Sequence, residues 1–142
     1  MLKEVLIFIT ATTNEEAKKI ANRLLDQKKA ACVNIIPKID SCFWWQGKKE
    51  SAKEVLLIVK STASLLNNVI KLVKEMHTYE LPEVIAIPIV GGNRDYLNWI
   101  REVTAVPESA SSMTVLNRKS QSKQKMKGSK NVKRKNSSSF SP

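Results

Sequence analysis

Two patterns of apolar residues recur along the first hundred positions. Short continuous apolar runs are typical of buried strands. These runs occupy residues 5–9, 30–37, 54–59 and 84–90. Apolar stripes with a spacing of three to four residues are typical of helices that bury one face. Such stripes predict one helix from Thr13 to residue 28 or 29 and a second helix over residues 65–76.

Polar residues between these segments predict where the elements begin and end. Thr13 and Glu16 have the spacing of a capping box, in which the hydroxyl accepts from the amide of Glu16 and the carboxylate reaches back. Pro37 is predicted to end the second strand because it lacks an amide donor. Residues 41–45 and 53–60 flank a glycine turn, which predicts a hairpin.

The order of these elements is β-α-β-β-α-β, followed by a short helix over residues 93–103. Residues 5–36 and 55–90 each combine an apolar strand, a Ser/Thr-containing turn, an amphipathic helix and a second apolar strand. This repeat is typical of the split βαβ arrangement. The sequence therefore predicts an α+β fold, a ferredoxin-like βαββαβ sandwich with an antiparallel sheet, helices on one face of the sheet and a short C-terminal helix.

Basic residues are concentrated near the C-terminus. Residues 1–105 carry 15 Lys/Arg and 12 Asp/Glu, a net charge of +3, whereas residues 106–142 carry nine Lys/Arg and one acid, a net charge of +8. The second segment is rich in serine and lysine and has no apolar period, so we expect a disordered basic tail after a folded domain. An acidic partner or a nucleic acid suits such a tail, and a solvated tail without a partner is the simpler interpretation.

The cysteine count and the lengths of the apolar runs indicate in which cellular compartment the protein resides. Cys32 and Cys42 are too few for a disulfide framework and indicate reduced thiols. The first residues run directly into an apolar strand and lack the features of a signal peptide. No apolar run approaches the roughly 18–20 residues of a membrane span. The sequence therefore predicts a cytoplasmic protein without a membrane span.

One loop concentrates groups that bind metal ions. Residues 77–83 hold the only histidine of the chain, His77, with the carboxylates of Glu80 and Glu83. Imidazole and carboxylate suit a divalent cation such as copper or zinc, but a closed site needs three or four ligands. Copies of the chain at an interface, or the thiol of Cys32, would have to complete it. The alternative is that His77 only caps a helix end, where its charge suits the dipole.

Two consecutive tryptophans mark the predicted hairpin. The side chains of Trp44 and Trp45 point to opposite faces of a strand. One can enter the core while the other faces outward, where a large aromatic side chain is unusual on a monomer. This pattern favours a contact between subunits, and packing of both side chains in the core is the alternative.

The chain shows no motif of an enzyme. It has no nucleophile elbow, no phosphate-binding loop and no dinucleotide-binding loop. A dyad of His77 with Cys32 or Cys42 stays open only because both residue types are present. The sequence therefore predicts a protein that is not an enzyme.

Four motifs, in this order, resemble the CutA family. They are AACVNIIP at residues 30–37, SCFWWQG at residues 41–47, HTYELPE at residues 77–83 and DYLNW at residues 95–99. The resemblance covers residues 4–103. It implies a ferredoxin-like fold similar to the PII signalling proteins, assembly as a homotrimer, copper binding and a role in tolerance of divalent cations. It also places Trp44, Trp45 and Trp99 at the trimer interface.

The chain departs from the family at the metal site. Thr13 occupies a position where bacterial members with a proposed copper site have cysteine, and Met76 replaces the first of two adjacent histidines. The soft thiolate that favours copper is therefore missing from the loop, although the thioether of Met76 remains a donor. Cys32 matches a family cysteine on the second strand, where burial is expected.

The resulting hypothesis is a homotrimer that binds copper or zinc at clefts between subunits. His77 is expected to be the anchor ligand, and Glu80 and Glu83 to supply negative charge. Tyr79 and Pro82 are expected to shape the loop. The remaining residues predicted to line the cleft are Thr13, Cys32 and Met76.

Two alternatives come from other functional classes. The first is a trimeric structural or signalling scaffold without a physiological metal, in which the loop only builds the interface. The second is nucleic-acid binding through residues 118–135, which predicts a strongly salt-dependent affinity.

Overall fold

The computed structural model describes residues 3–105 of the chain. Its elements, in chain order, are β1 (Glu4–Ala11), α1 (Asn14–Asp26), β2 (Cys32–Trp45), β3 (Lys48–Thr62), α2 (Leu66–Met76), β4 (Val84–Pro88) and α3 (Arg94–Thr104). A single 3-10 turn, Ala63–Leu65, leads into α2. The tail predicted for residues 106–142 lies outside the described residues. Within residues 3–105, every helix is too short or too polar to cross a membrane.

The four strands form one sheet in the order β2-β3-β1-β4, and every neighbouring pair is antiparallel. β1 lies inside the sheet, where Ile7 pairs with Val59 of β3 on one side and with Ala86 of β4 on the other. β2 and β4 form the two edges. This order joins two βαβ halves side by side, so the predicted α+β, ferredoxin-like fold is confirmed.

The main core lies between the sheet and the helices α1 and α2. Successive side chains of a strand point to opposite faces, and alternate residues of β1 and β3 are buried against the two helices. The fully buried residues of this core include Ile7, Ile9, Ile20, Leu24, Leu57, Val59, Val69 and Val73. The predicted apolar stripes of both helices therefore meet the same face of the sheet.

The prediction that the two helices of the βαββαβ sandwich pack on one face is confirmed, and the short C-terminal helix, α3, packs on the opposite face of the sheet. Glu4 and Cys32 alternate with core residues along their strands, so their side chains leave the main core. Glu4 lies 3.3 Å from Arg101 of α3, and Cys32 is buried with Trp99 and Ile100 in a second cluster. The period of α3 predicts an apolar stripe but not the face of the sheet that the stripe meets.

The rest of this second face carries an apolar surface, which we call the open patch. It consists of Phe8, Ile36, Leu56, Ile58, Ile85 and Ile87. The strand register brings these side chains together, since Phe8 pairs with Ile58 on one side and with Ile85 on the other. Ile85 is 55% exposed. Apolar surfaces of this kind on soluble proteins mark interaction sites.

β2 and β3 form a long hairpin of 14 and 15 residues. Pro37 does not end β2, which corrects the sequence prediction. A shift of register between Ile36 and Ile39 accommodates the proline, and Lys38 there has a φ of 63°. Proline is tolerated because β2 is an edge strand of the described sheet and the ladder is irregular at this point. The hairpin turns at Gly47, whose φ of 78° suits glycine.

Candidate functional site

The candidate loop, residues 77–83, connects α2 to β4. His77 is the first residue after α2, and its amide still donates to the carbonyl of Val73 at 2.8 Å. Its backbone is already extended, with φ of −79° and ψ of 144°. The chain therefore leaves the helix at His77, and the imidazole lies against the end of β1.

Both ring nitrogens of His77 are engaged within the chain. Nε2 lies 2.7 Å from the carbonyl oxygen of Thr10, and Nδ1 lies 3.0 Å from the amide nitrogen of Tyr79. A carbonyl only accepts and an amide N–H only donates, so these partners require the tautomer with its proton on Nε2. The side chain is fully buried. In this arrangement the ring has no lone pair left for a metal ion.

Glu16, in the first turn of α1, connects the two loops around the histidine. Its Oε1 accepts from the amide of Thr12 at 3.0 Å and from the hydroxyl of Thr12 at 3.2 Å. Its Oε2 accepts from the amide of Thr78 at 3.1 Å and from the hydroxyl of Thr78. Oε1 also lies 3.5 Å from Nε2 of His77. One carboxylate thus joins the β1–α1 loop to the start of the candidate loop.

These contacts set the protonation of Glu16. Burial acts to raise the pKa of its carboxyl, but hydrogen bonds from Thr78 and Thr12 and the nearby His77 ring together lower the pKa below its ordinary value of 4.5. A lowered pKa in the folded state stabilises the fold above the ordinary pKa. The contribution of Glu16 is therefore present at neutral pH and is lost as the pH falls through the lowered pKa.

The second part of the loop is exposed. Tyr79 is 41% exposed, and its ring lies 5.2 Å from that of His77. Glu80 and Glu83 are exposed, while Pro82 between them is half-buried. The loop therefore combines a locked beginning with two carboxylates that reach solvent.

The donors within residues 3–105 of one chain do not make a complete metal site. Among the described residues, no three His, Cys, Asp or Glu side chains lie together as a group able to hold an ion. His77 is committed to Thr10 and Tyr79, and the two exposed carboxylates of Glu80 and Glu83 are fewer than the three or four ligands of a closed site. A closed site that uses this loop therefore needs further donors from beyond residues 3–105 of one chain.

Two residues predicted to line the cleft lie near the loop in different surroundings. Thr13 is the exposed N-cap of α1, and its hydroxyl accepts from the amide of Glu16 at 3.1 Å, as predicted. The carboxylate of Glu16 reaches back to the amide of Thr12 and not, as the capping box predicts, to the amide of Thr13. Met76 is half-buried and packs against the main core. These contacts give both residues a structural role in one chain.

Cys32 lies far from the loop. It pairs with Lys60, which pairs with Leu6, and Leu6 is four residues along β1 from Thr10, the partner of His77. At 3.2–3.4 Å per residue, this is about 13 Å along the sheet. The structure therefore does not bring Cys32 and His77 of one chain together, either as a dyad or as ligands of one ion.

The thiol of Cys32 has a different neighbour. It hydrogen-bonds the phenol of Tyr96 on α3. Burial, together with the charge and the hydrogen bond of Cys32, raises the pKa of Tyr96 to about 12. Sequence reasoning did not identify this polar contact.

The three tryptophans predicted at a trimer interface differ in exposure. Trp44 and Trp45 are 71% and 45% exposed, so neither enters the core of the chain, because the outer part of the hairpin has no helix over it. Trp99 is buried with Cys32, although its indole Nε1 lacks a hydrogen-bond partner within residues 3–105. The exposed pair suits a subunit contact, which stays a prediction for all three.

Sequence reasoning missed the contact of Glu16 with Thr78. The two residues are 62 positions apart, and only the fold brings them together. The capping box did identify Glu16 as a residue with a partner in its own loop. The sequence did offer one signal. A capping box uses only one of the two carboxylate oxygens of Glu16, which leaves the second oxygen able to accept from another residue.

Comparison with known proteins finds a matching family model and similar proteins. The sequence model of the family described as "CutA1 divalent ion tolerance protein" matches residues 5–103. "Protein CutA 1, chloroplastic" from Oryza sativa subsp. japonica is 44% identical over 100 residues, which are 70% of this chain and 56% of the relative. The chain thus spans a little over half the length of this relative.

Two solved structures are similar over nearly their whole length. The periplasmic divalent cation tolerance protein CutA from Archaeoglobus fulgidus has a TM-score of 0.69 and 48% identity, over 71% of this chain and 98% of that chain. The divalent cation tolerance protein from Thermus thermophilus has a TM-score of 0.71 and 42% identity, over 72% of this chain and 99% of that chain. Both fold and sequence agree with the predicted resemblance.

Proposed function

Because this chain belongs to the family of CutA1 divalent ion tolerance proteins, we propose that it acts in divalent-cation tolerance as a homotrimer that binds copper or zinc at clefts between subunits. The observation that carries the proposal is the loop 77–83. Its beginning is fixed by the buried hydrogen bond of His77 and by the contact of Thr78 with Glu16, and its end holds Glu80 and Glu83 exposed. Two carboxylates held at a defined place are suited to complete a site with donors of a neighbouring copy.

The open patch supports self-association. Its six apolar side chains lie on one face of the sheet, and the hairpin adds the exposed Trp44 and Trp45, one on each face of β2. Burial of such a surface against a second copy is favourable at about 25 cal/mol per Å² of apolar area. The number of three subunits follows from the family resemblance.

The ligand roles proposed for the loop residues are unequal. Glu80 and Glu83 reach the ion without any change in the fold, since both are exposed. The anchor role predicted for His77 requires the ring to release the amide of Tyr79 from Nδ1. Tyr79 and Pro82 shape the exposed part of the loop. An oxygen-rich set of this kind selects less sharply for copper than a site with a thiolate does.

Titration of the full chain with copper and with zinc tests the proposal. The double variant Glu80→Gln/Glu83→Gln keeps the shape of both side chains and removes their charge. We expect its Kd to rise at least about tenfold, because loss of a ligand costs no less than loss of a group that supports one. Glu75→Gln, an exposed glutamate on α2, is the matched control and should leave Kd unchanged. An unchanged Kd in the double variant would contradict the proposal.

His77→Ala tests the anchor role separately. A variant that binds as tightly as the parent shows that the histidine is not a ligand. A loss of affinity with an unchanged fold supports the ligand role, and circular dichroism and thermal unfolding provide the check on the fold.

A trimeric scaffold without a physiological metal is the second candidate. The observation that favours it is the engagement of both His77 nitrogens within the chain. This candidate predicts that copper and zinc change neither the stability nor the subunit number. For either candidate we propose a function that is not enzymatic, and the description of the family as a divalent ion tolerance protein supports this proposal.

The location and the tail stay proposals. We propose a cytoplasmic protein, although relatives are named chloroplastic and periplasmic. The tail, residues 106–142, is proposed to contact an acidic partner or a nucleic acid through its basic residues.

A further inference from the structure

The carboxylate of Glu16 has more partners than a helix cap requires. A capping box uses one glutamate oxygen and one backbone amide. In this chain Oε1 serves Thr12, while Oε2 serves the amide and the hydroxyl of Thr78. The side chain of Glu16 is only 10% exposed. Its second oxygen is thus used entirely to hold a residue of the candidate loop.

The position of Thr78 in the loop determines which residues the contact with Glu16 affects. Thr78 follows His77, whose ring is held by Thr10, and precedes Tyr79, whose amide donates to that ring. The loop is therefore fixed at successive residues, by the imidazole and by the carboxylate. The exposed residues Tyr79 to Glu83 begin directly after these fixed points, so their direction is set there.

Hydrogen bonds to a carboxylate are stronger than those to a neutral acceptor. The acceptor at Oε2 receives two donors from one residue, which defines both the position and the rotation of Thr78. Loss of this acceptor leaves the backbone amide of Thr78 without its partner, while the His77 contacts alone hold the loop. The loop would then open more often at its beginning.

We propose that Glu16 is a positioning residue for cation binding: by holding Thr78 against the first turn of α1, it fixes the direction in which the loop presents Glu80 and Glu83. This inference rests on the proposed function for the part that concerns the cation. The part that concerns the loop stands on the contacts of Glu16 alone.

Glu16→Gln separates this role from helix capping. Glutamine also serves in capping boxes, because its carbonyl oxygen accepts from the backbone amide. Its other terminal atom is an NH₂ group, which is a donor where Thr78 needs an acceptor. Its one carbonyl oxygen cannot accept from both backbone amides, so a variant that keeps the cap at Thr12 loses the contact with Thr78. Glu15→Gln, an exposed glutamate in the same turn, is the control for the loss of charge.

Hydrogen exchange measured by NMR on the full chain reports on the loop. We expect the protection of the Thr78 amide to fall about tenfold or more in Glu16→Gln and to stay at the parental value in Glu15→Gln. Thr78→Val, which removes the hydroxyl and keeps the amide, should lower the protection in the same direction. Protection in Glu16→Gln within about twofold of the parent would overturn the positioning role.

Zinc titration of the same variants reports on the cation. A positioning role predicts a Kd for zinc raised about tenfold or more in Glu16→Gln, with Glu15→Gln at the parental value. If Glu16→Gln lowers the protection of the Thr78 amide but leaves the Kd for zinc unchanged, the link between the loop contact and cation binding is overturned. If the parent itself binds no zinc, the proposed function fails, and hydrogen exchange alone decides whether Glu16 holds the loop.

Discussion

The two faces of the sheet are built by the same strands and differ in what covers them. On one face, Ile7, Leu57 and Val59 are fully buried under α1 and α2. On the other face, Phe8 and Ile58 are only half-buried, although they are adjacent in sequence to these core residues. The second face is covered by α3 at one end, and the open patch occupies the rest.

The difference teaches that an apolar strand pattern does not mean a strand buried within one chain. Continuous apolar runs predict strands that are covered on both faces. Here the first cover is the pair α1 and α2, and the second cover is α3 together with a surface that nothing in residues 3–105 covers. A second copy of the chain is the cover that the proposed homotrimer supplies.

The largest expected effect comes from a charge in the open patch. Ile58→Asp places a carboxylate where the proposed subunit contact is apolar, and burial of an unpaired charge is very costly. We expect the oligomer to dissociate into monomers that keep their circular dichroism spectrum, as shown by analytical ultracentrifugation. Asn67→Asp, the same change of charge on the exposed side of α2, should keep the parental mass. Retention of the oligomer by Ile58→Asp would show that the open patch is not the contact.

A matched pair of truncations compares the two faces directly. Leu57→Ala removes a fully buried side chain from the main core, and we expect a loss of about 2–5 kcal/mol in the free energy of unfolding. Leu56→Ala removes a half-buried side chain of the same strand from the open patch. In the monomeric Ile58→Asp background its cost should be the smaller of the two, measured by urea denaturation. Equal costs there would mean that the two faces are equally covered within one chain.

The buried histidine gives a smaller effect at the end of β1. His77→Ala leaves the carbonyl of Thr10 and the amide of Tyr79 without their partner. We expect a loss of about 1–3 kcal/mol, the typical cost of buried groups that lose a hydrogen bond. Urea denaturation measures it. A change within about 0.5 kcal/mol, usual for surface positions, would contradict the structural role of the ring.

The smallest expected effect is on stability at alkaline pH and comes from Tyr96 of α3, the helix that covers one end of the second face. The raised pKa of Tyr96 means that the folded state resists ionisation of the phenol. Its contribution to stability is complete below the ordinary pKa of 10.0 and is lost as the pH rises toward about 12. Tyr96→Phe should remove part of the alkaline decline in thermal stability. An identical decline in the variant would assign the alkaline sensitivity to other groups.

The element order and the main core could be predicted from the sequence, because the spacing of apolar residues reflects a single buried face. The stripe of Ala17, Ile20 and Leu24 is buried as expected. The bulge at Pro37 could not be predicted, since it depends on the position of β2 at the edge of the sheet. The face chosen by α3 depends on the sheet as a whole.

The candidate site also has features that the sequence predicts and features that only the fold determines. The loop 77–83 was identified by its residue types, and the capping contact of Thr13 by its spacing. The partners of His77 include the carbonyl of Thr10 on β1, 67 positions away, and no pattern along the chain indicates it. The residue type of His77 predicted a ligand, while its surroundings give it two partners inside the chain.

Zinc titration of the parent oligomer beside the monomeric Ile58→Asp variant tests the central claim, that cation sites form between copies of the chain. Ile58 lies on β3, outside the loop 77–83, so the variant keeps every proposed ligand of its own chain. We predict that the oligomer binds zinc and that the monomer loses at least about tenfold in affinity. Equal affinity in the two proteins, or no binding by the oligomer, would contradict the account.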